Sequence, residues 1–145
     1  MSDFPYLPEG RSILYVGADN EFMMAAKEAA ETLSSDRAHP TGAVIVHKGT
    51  IVSRGANGSD YHKKHGCRRK EQNIPTGEGY ELCEGCSPRN HAEQSAISKM
   101  QQGCENDDLY LWGHWWCCES CWNRMIAAEI QNVYLTEGAR EKFER

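Results

Sequence analysis

The sequence predicts an α/β domain in which helices cover the faces of a central sheet. Short apolar runs typical of strands alternate along the chain with helix-like segments. The first helical segment has a clear apolar period, and 145 residues suffice for one hydrophobic core. We therefore expect a single domain over residues 1–145, with an irregular arm at 1–11 and a long polar loop at 59–89.

The first helix is the most strongly predicted element, and Asp19 or Asn20 is expected to cap its start. Lys48 and Gly49 separate two strand-like runs and predict a hairpin. The apolar face of the helix comprises Phe22, Ala25, Ala26, Ala29, Ala30 and Leu33. The predicted elements are a strand at 13–16, a helix at 22–33, strands at 43–46 and 50–53, a helix at 90–100, a strand at 108–112, a helix at 118–128, a strand at 131–136 and a polar tail at 141–145.

Composition limits the classes of partner and the cellular compartment. The chain has 16 basic and 21 acidic residues, and its net charge of −5 argues against broad binding of nucleic acid. It has no apolar segment long enough to span a membrane and no recognisable signal peptide at its start. We therefore expect a cytoplasmic protein that acts on a small molecule, without a membrane partner. In that reducing compartment, seven cysteines favour metal binding over disulfides.

Two short segments supply the residues of a catalytic zinc site. One residue separates His91 from Glu93, and two residues separate Cys118 from Cys121. The two cysteines face the same way in a first helical turn, where the positive end of the helix favours thiolates. Catalytic zinc takes three protein ligands and leaves a fourth position for water. We therefore predict that His91, Cys118 and Cys121 bind zinc. Glu93 is then the acid that moves protons.

Each of these residues also has a structural interpretation. His91 could be a solvated histidine at a helix start, and the two cysteines could be buried thiols. Glu93 lies three residues after Asn90, which is the spacing of a capping box. The two cysteines could belong to a closed structural zinc site, with Cys117 or His114 as its fourth ligand. One catalytic zinc accounts for all four motif residues together, so we prefer that hypothesis.

The polar loop at residues 59–89 holds a second set of candidate ligands. A loop of this length without apolar periodicity needs another source of order, and a structural zinc would supply it. A flexible loop with reduced thiols is the alternative. A basic run at residues 62–70 could bind a substrate phosphate, or it could be an ordinary solvated segment. The candidate ligands of this second zinc are His62, His65, Cys67, Cys83 and Cys86.

Four segments together carry a resemblance to a known superfamily. They are residues 42–46, 55–58, 91–97 and 118–121, which read Gly-Ala-Val-Ile-Val, Gly-Ala-Asn-Gly, His-Ala-Glu-Gln-Ser-Ala-Ile and Cys-Glu-Ser-Cys. In this order the chain resembles the cytidine and deoxycytidylate deaminases, and most of all the deoxycytidylate branch. The resemblance implies a three-layer α/β/α fold with a central mixed sheet. The chain ends soon after Leu135, which leaves open the family's usual fifth strand at the C-terminus.

The resemblance also implies a reaction, the zinc-dependent hydrolytic deamination of a cytosine nucleotide, dCMP to dUMP. In such enzymes zinc lowers the pKa of a bound water, and the residue matching Glu93 transfers protons to the base and to the leaving ammonia. Asn57 would bind the sugar, and the backbone at Ala43 would contact the base. Arg54 is a further candidate for substrate binding, while the structural alternative for Asn57 is a turn residue before Gly58.

Several alternatives stay open at this stage. The enzyme could deaminate another base, or cytosine in a nucleic acid. A protein of another class would be a zinc-stabilised binding module without catalysis. Exposed sheet edges also predict that subunits pair into a homo-oligomer.

The sequence departs from the family pattern at three further positions. Cys117 replaces a proline, Ser95 replaces an asparagine, and Glu129 replaces the glycine that usually closes the third helix. Four tryptophans surround the second zinc-binding segment, and we expect most to pack in the core and one to line the substrate pocket. They are Trp112, Trp115, Trp116 and Trp122.

Overall fold

The computed structural model describes residues 7–35, 39–58, 71–73, 91–100 and 106–143. Its strands are β1 (Ile13–Val16), β2 (Gly42–His47), β3 (Thr50–Ala56), β4 (Asp107–Trp112) and β5 (Ile130–Thr136). Its helices in these ranges are α1 (Glu21–Leu33), α2 (Ala92–Ser98), α3 (Glu119–Ala127) and α4 (Ala139–Phe143). All five predicted strands form, and they join into one sheet in the order β1-β5-β4-β2-β3.

The sheet is mixed and is covered on both faces. β2 runs antiparallel to β3 and β4, whereas β1, β5 and β4 run parallel to one another. Successive residues of β2 alternate between two cores, so Val44 packs with α1 while Ala43 and Ile45 pack with α2 and α3. This arrangement confirms the predicted three-layer α/β/α fold.

The start of α1 is capped as predicted. Asn20 is the N-cap, and its Oδ1 accepts hydrogen bonds from the backbone N–H groups of Phe22 at 3.0 Å and Met23 at 3.1 Å. These bonds satisfy two of the donors that every helix leaves free at its start. They fix the direction in which α1 leaves the first strand.

The buried face of α1 includes the predicted Ala26, Ala29 and Ala30, and it differs from the prediction at Met23 and Leu33. The fully covered positions include Met23 and Ala26, whereas Leu33 is 50% exposed. The reason lies at Gly42 on β2, where an added Cβ would clash with backbone atoms of Ala26 and Ala30. Because the helix backbone contacts the sheet so closely at that point, small alanines rather than the large Leu33 must face it.

The N-terminal part of the chain supplies the edge strand beyond β5. Ile13 lies opposite Val133, and Arg11 Nη1 donates to the carbonyl of Ile130 at 3.0 Å. After β5 the described residues form helix α4 and not a further strand. The strand that borders β5 at this edge of the sheet is therefore β1.

Residues 141–143 of the predicted polar tail belong to helix α4, which begins at Ala139. Ala139 is 1% exposed, and the ring of Phe143 lies 4.9 Å from that of Trp112. These two apolar residues are four positions apart and share one helix face. The predicted tail began after Ala139, so the prediction from sequence did not pair Ala139 with Phe143 on one helix face.

The predicted hairpin at Lys48 and Gly49 is confirmed. Both residues have positive φ angles, 49° and 80°, as a type I′ turn requires. Among the described residues, no helix is both long and apolar enough to pass through a lipid bilayer.

Glu129 closes α3 in a backbone conformation that favours glycine. Its φ is +64°, and its side chain is exposed. We expect Glu129→Gly to raise the free energy of unfolding by about 0.5–1 kcal/mol, because relief of the left-handed strain exceeds the added entropy of the unfolded chain. Chemical denaturation would measure the change. Glu137→Gly is the matched control, because Glu137 is exposed and lies outside this backbone conformation. It should not raise the free energy of unfolding. An equal increase in both variants would contradict the explanation.

Candidate active site

The first zinc-binding segment begins α2. The helix starts at Ala92, so its N-cap is His91 rather than Asn90, and the predicted helix at 90–100 is shorter at both ends. His91 has extended backbone angles and its side chain does not cap the helix. Its Nδ1 instead lies 3.7 Å from Cys118 Sγ and 3.4 Å from Cys121 Sγ. The structure therefore brings the three predicted ligands together.

The second segment begins α3 in the same way. Cys118 is the N-cap, and its Sγ accepts the backbone N–H of Cys121 at 3.4 Å. A hydrogen bond with the Cys121 side chain, followed by the nearby His91, lowers the pKa of Cys118 to about 4. The same hydrogen bond, together with burial, raises the pKa of Cys121. Zinc would bind both sulfurs as thiolates.

The distances fit a tetrahedral zinc ion. Zinc binds sulfur at about 2.3 Å and nitrogen at about 2.0–2.1 Å. Around a tetrahedral zinc ion, a sulfur ligand and a nitrogen ligand are therefore roughly 3.6 Å apart. The observed separations of 3.7 and 3.4 Å between nitrogen and sulfur bracket this value. All three ligand atoms lie within 4.8 Å of one another, as one shared ion requires. The donor set of one imidazole and two thiolates is also typical of zinc.

Neither proposed fourth ligand joins this group. Among the described residues, only His91, Cys118 and Cys121 cluster closely enough to share a metal ion. Cys117 is fully buried in the core beside them. The Nδ1 atom of His114 accepts the backbone N–H of Trp115 at 2.9 Å. The described residues thus supply three candidate ligands, which is the number that a catalytic zinc site takes from the protein.

Glu93 lies beside the ligand cluster in a buried position. Its side chain is only 5% exposed, and burial is the main cause that raises its pKa, although the nearby His91 opposes the shift. The thiol of Cys117 is hydrogen bonded to its carboxyl group. A carboxyl group held out of water near a metal site has the properties of a general acid and base.

The capping-box interpretation of Glu93 does not fit the observed helix. That motif needs the N-cap at Asn90 and the glutamate three residues later. Because His91 is the N-cap, Glu93 occupies the second helical position instead of the third. Its carboxyl group contacts Cys117, and Glu93 does not hold the position of a capping-box glutamate.

The β2–β3 hairpin places two candidate substrate-binding residues, Ala43 and Arg54, on opposite faces of the sheet. Ala43 is completely buried in β2, while Arg54 is exposed. Arg54 pairs with Val44, which faces α1, so its side chain lies on the sheet face opposite α2. The structure therefore does not place Arg54 on the side of the sheet that carries His91.

Asn57 joins two loops at the end of β3. Its Oδ1 accepts the backbone N–H of Thr41 at 2.9 Å and also the hydroxyl of Ser34. Its Nδ2 donates to the carbonyl of His39 at 2.9 Å. The amide therefore fixes the chain around the start of β2, a role beyond the simple turn residue considered from sequence.

Gln94 is a contact residue that sequence reasoning missed. Its Nε2 donates to Ser120 Oγ at 3.1 Å and to Cys121 Sγ at 3.7 Å. It directly follows Glu93 in the sequence. The only sequence signal was the proximity of an amide to a candidate ligand.

The four tryptophans have different surroundings. Trp122 is 2% exposed in the core, while Trp112 lies on the α1 side of the sheet. Trp115 and Trp116 are buried and also line a cavity of about 480 Å³. The Arg140 guanidinium lies 4.8 Å from the centre of the Trp115 ring at this cavity. The expectation that most of the tryptophans pack in the core agrees with these positions.

The predicted second zinc site lies outside the described residues. This applies to all five of its candidate ligands and to the basic run at residues 62–70. The hypothesis therefore stays a prediction. Its candidate ligands are His62, His65, Cys67, Cys83 and Cys86.

Comparison with solved structures identifies related folds. The apo crystal structure of dCMP deaminase from the cyanophage S-TIM5 is 20% identical, covers 85% of this chain and 86% of its own, and has a TM-score of 0.51. The crystal structure of the same phage enzyme in complex with dCMP and dUMP is 22% identical, covers 79% of each chain and has a TM-score of 0.48.

Comparison with sequences gives a more specific result. No curated protein sequence matches significantly. The sequence model of the cytidine and deoxycytidylate deaminase zinc-binding region matches residues 17–137, which include both halves of the site. The chain therefore belongs to the cytidine and deoxycytidylate deaminase family.

Proposed function

We propose that the protein is a zinc-dependent hydrolase that deaminates a cytosine-containing nucleotide, with dCMP as substrate and dUMP as product. The observation that carries the proposal is the convergence of His91, Cys118 and Cys121 beside the buried Glu93. The similar fold of a phage protein named as a dCMP deaminase makes dCMP the first substrate to test.

The residues of the site account for each proton that the reaction moves. When bound, zinc would act as a Lewis acid that brings the pKa of water close to neutrality. The Glu93 carboxylate takes one proton from the attacking water and delivers it to N3 of the ring as hydroxide adds to C4. Glu93 then moves the second proton from the new hydroxyl to the amino group. The C4–N bond breaks, ammonia leaves, and a uracil ring remains.

An ammonia-release assay would test the proposal. The purified protein would be incubated with dCMP, CMP, dCTP, deoxycytidine, free cytosine, adenine and guanine compounds, and single-stranded DNA, and its zinc content would be measured in parallel. We expect the highest kcat/KM with dCMP, and loss of activity after zinc is removed by a chelator. A preference for deoxycytidine or for DNA would contradict the proposed substrate.

The same assay separates catalysis from a purely structural use of zinc. A protein that holds zinc at the site but deaminates none of these compounds would be a binding module, and the proposed function would be wrong. If the protein had no affinity for zinc, the proposed metal site itself would be wrong.

A further inference from the structure

We infer that Gln94 is a positioning residue of the zinc centre, which orients the Cys121 thiolate and joins the two helices that carry the ligands. The inference rests on the zinc site of the proposed function. It adds a residue that acts on the metal through a ligand and touches neither metal nor substrate.

The contacts of Gln94 cross from one half of the site to the other. Gln94 belongs to α2, which begins after His91, and both of its partners belong to α3. A side-chain amide nitrogen has two N–H donors. One can serve Ser120 Oγ at 3.1 Å while the other serves Cys121 Sγ at 3.7 Å. Ser120 thus fixes the amide in the orientation that directs its second N–H toward the sulfur.

The sulfur that receives this bond has little access to water. Cys121 is fully buried, so its thiolate depends on protein donors for hydrogen bonds. Cys118 Sγ already accepts the backbone N–H of Cys121, and Gln94 gives the Cys121 thiolate a corresponding donor. Within the described part of the chain, each of the two sulfurs therefore has an N–H partner.

These bonds affect both affinity and chemistry. A hydrogen bond draws negative charge away from a thiolate, so the metal between two such sulfurs keeps more of its Lewis acidity. The bond also holds the sulfur in the direction that the ion requires. Loss of an outer partner of this kind typically lowers metal affinity about 10- to 100-fold.

Two substitutions test the inference. Gln94→Leu removes both donors, and Gln94→Glu keeps the shape of the side chain but places a carboxylate beside the sulfur. Competition with a chromophoric chelator would measure zinc affinity of the full chain. We expect roughly a 10- to 100-fold loss for Gln94→Leu and at least as large a loss for Gln94→Glu. Gln131→Leu and Gln131→Glu make the same changes at an exposed position of β5 and should leave affinity unchanged.

A spectroscopic readout separates positioning from mere packing. In the cobalt-substituted protein, removal of the N–H bond makes the sulfur more electron-rich and should move its charge-transfer band to longer wavelength in both Gln94 variants. Zinc affinity within twofold of the wild type together with an unshifted band would overturn the inference. This outcome differs from failure of the proposed function, in which the wild-type protein itself would bind no zinc at this site or would deaminate no substrate.

Discussion

Glu93→Gln is expected to lower the kcat of deamination by about 10³- to 10⁴-fold while zinc content stays at the wild-type value. General acid and base groups typically contribute factors of about 10² to 10⁴, and in the proposed mechanism this carboxylate carries two protons in each turnover. The amide has nearly the same shape but cannot accept a proton from water. Because Glu93 is not in the ligand cluster, its substitution leaves the metal site intact.

The control for this experiment lies at the start of the neighbouring helix. Glu119 follows the ligand Cys118 directly but is exposed, so Glu119→Gln changes the same charge near the site without touching the proposed proton path. Steady-state kinetics and zinc analysis of both variants would be compared. If Glu93→Gln retained more than a tenth of the activity, the assignment of Glu93 as the proton carrier would be wrong.

Gly55→Ala should have the second large effect, because this glycine lets α2 contact the sheet. A Cβ at Gly55 would overlap the backbone of Ser95 and Ala96, and neither can move without moving the helix. We expect the free energy of unfolding to fall by about 3 kcal/mol or more, at the upper end of the cost of overpacking. Zinc affinity should fall as well, since α2 begins directly after the ligand His91.

Gly10→Ala is the comparison for that variant. Gly10 has a φ of +82° but open space around it, so alanine there meets only backbone strain of roughly 1–2 kcal/mol. Thermal unfolding and chelator competition would be measured for both proteins. Equal stability losses in the two variants, with zinc affinity unchanged, would show that α2 does not contact β3 at Gly55.

The residues of the candidate site were largely predictable because their spacing is local. The cysteine ligands are three residues apart at one helix start, and His91 and Glu93 are two residues apart at another. Local spacing also identified the hairpin at Lys48 and Gly49. Prediction could choose Cys118 over Cys117 because only Cys118 has the required separation from Cys121.

Other features depend on contacts between distant parts of the chain and could not be predicted. Gln94 and Cys121 are 27 positions apart, and no motif links an amide to a cysteine. The apolar period of α1 identified Ala26, Ala29 and Ala30, but it could not show that Gly42 on β2 brings the helix backbone so close to the sheet. Helices α2 and α3 start later than predicted, because His91 and Cys118 adopt extended backbone angles at the N-cap.

The edge strand β1 has a consequence for the order of folding. Arg11 and Ile130, which contact each other beside β1 and β5, are 119 positions apart in the chain, whereas β2 and β3 are joined by a tight turn. Closing so long a loop costs more chain entropy than closing a hairpin, and contacts of this kind slow folding. We therefore expect the β2–β3 hairpin to form early and the β1–β5 ladder to form late, so that one edge of the sheet is paired before the other is complete.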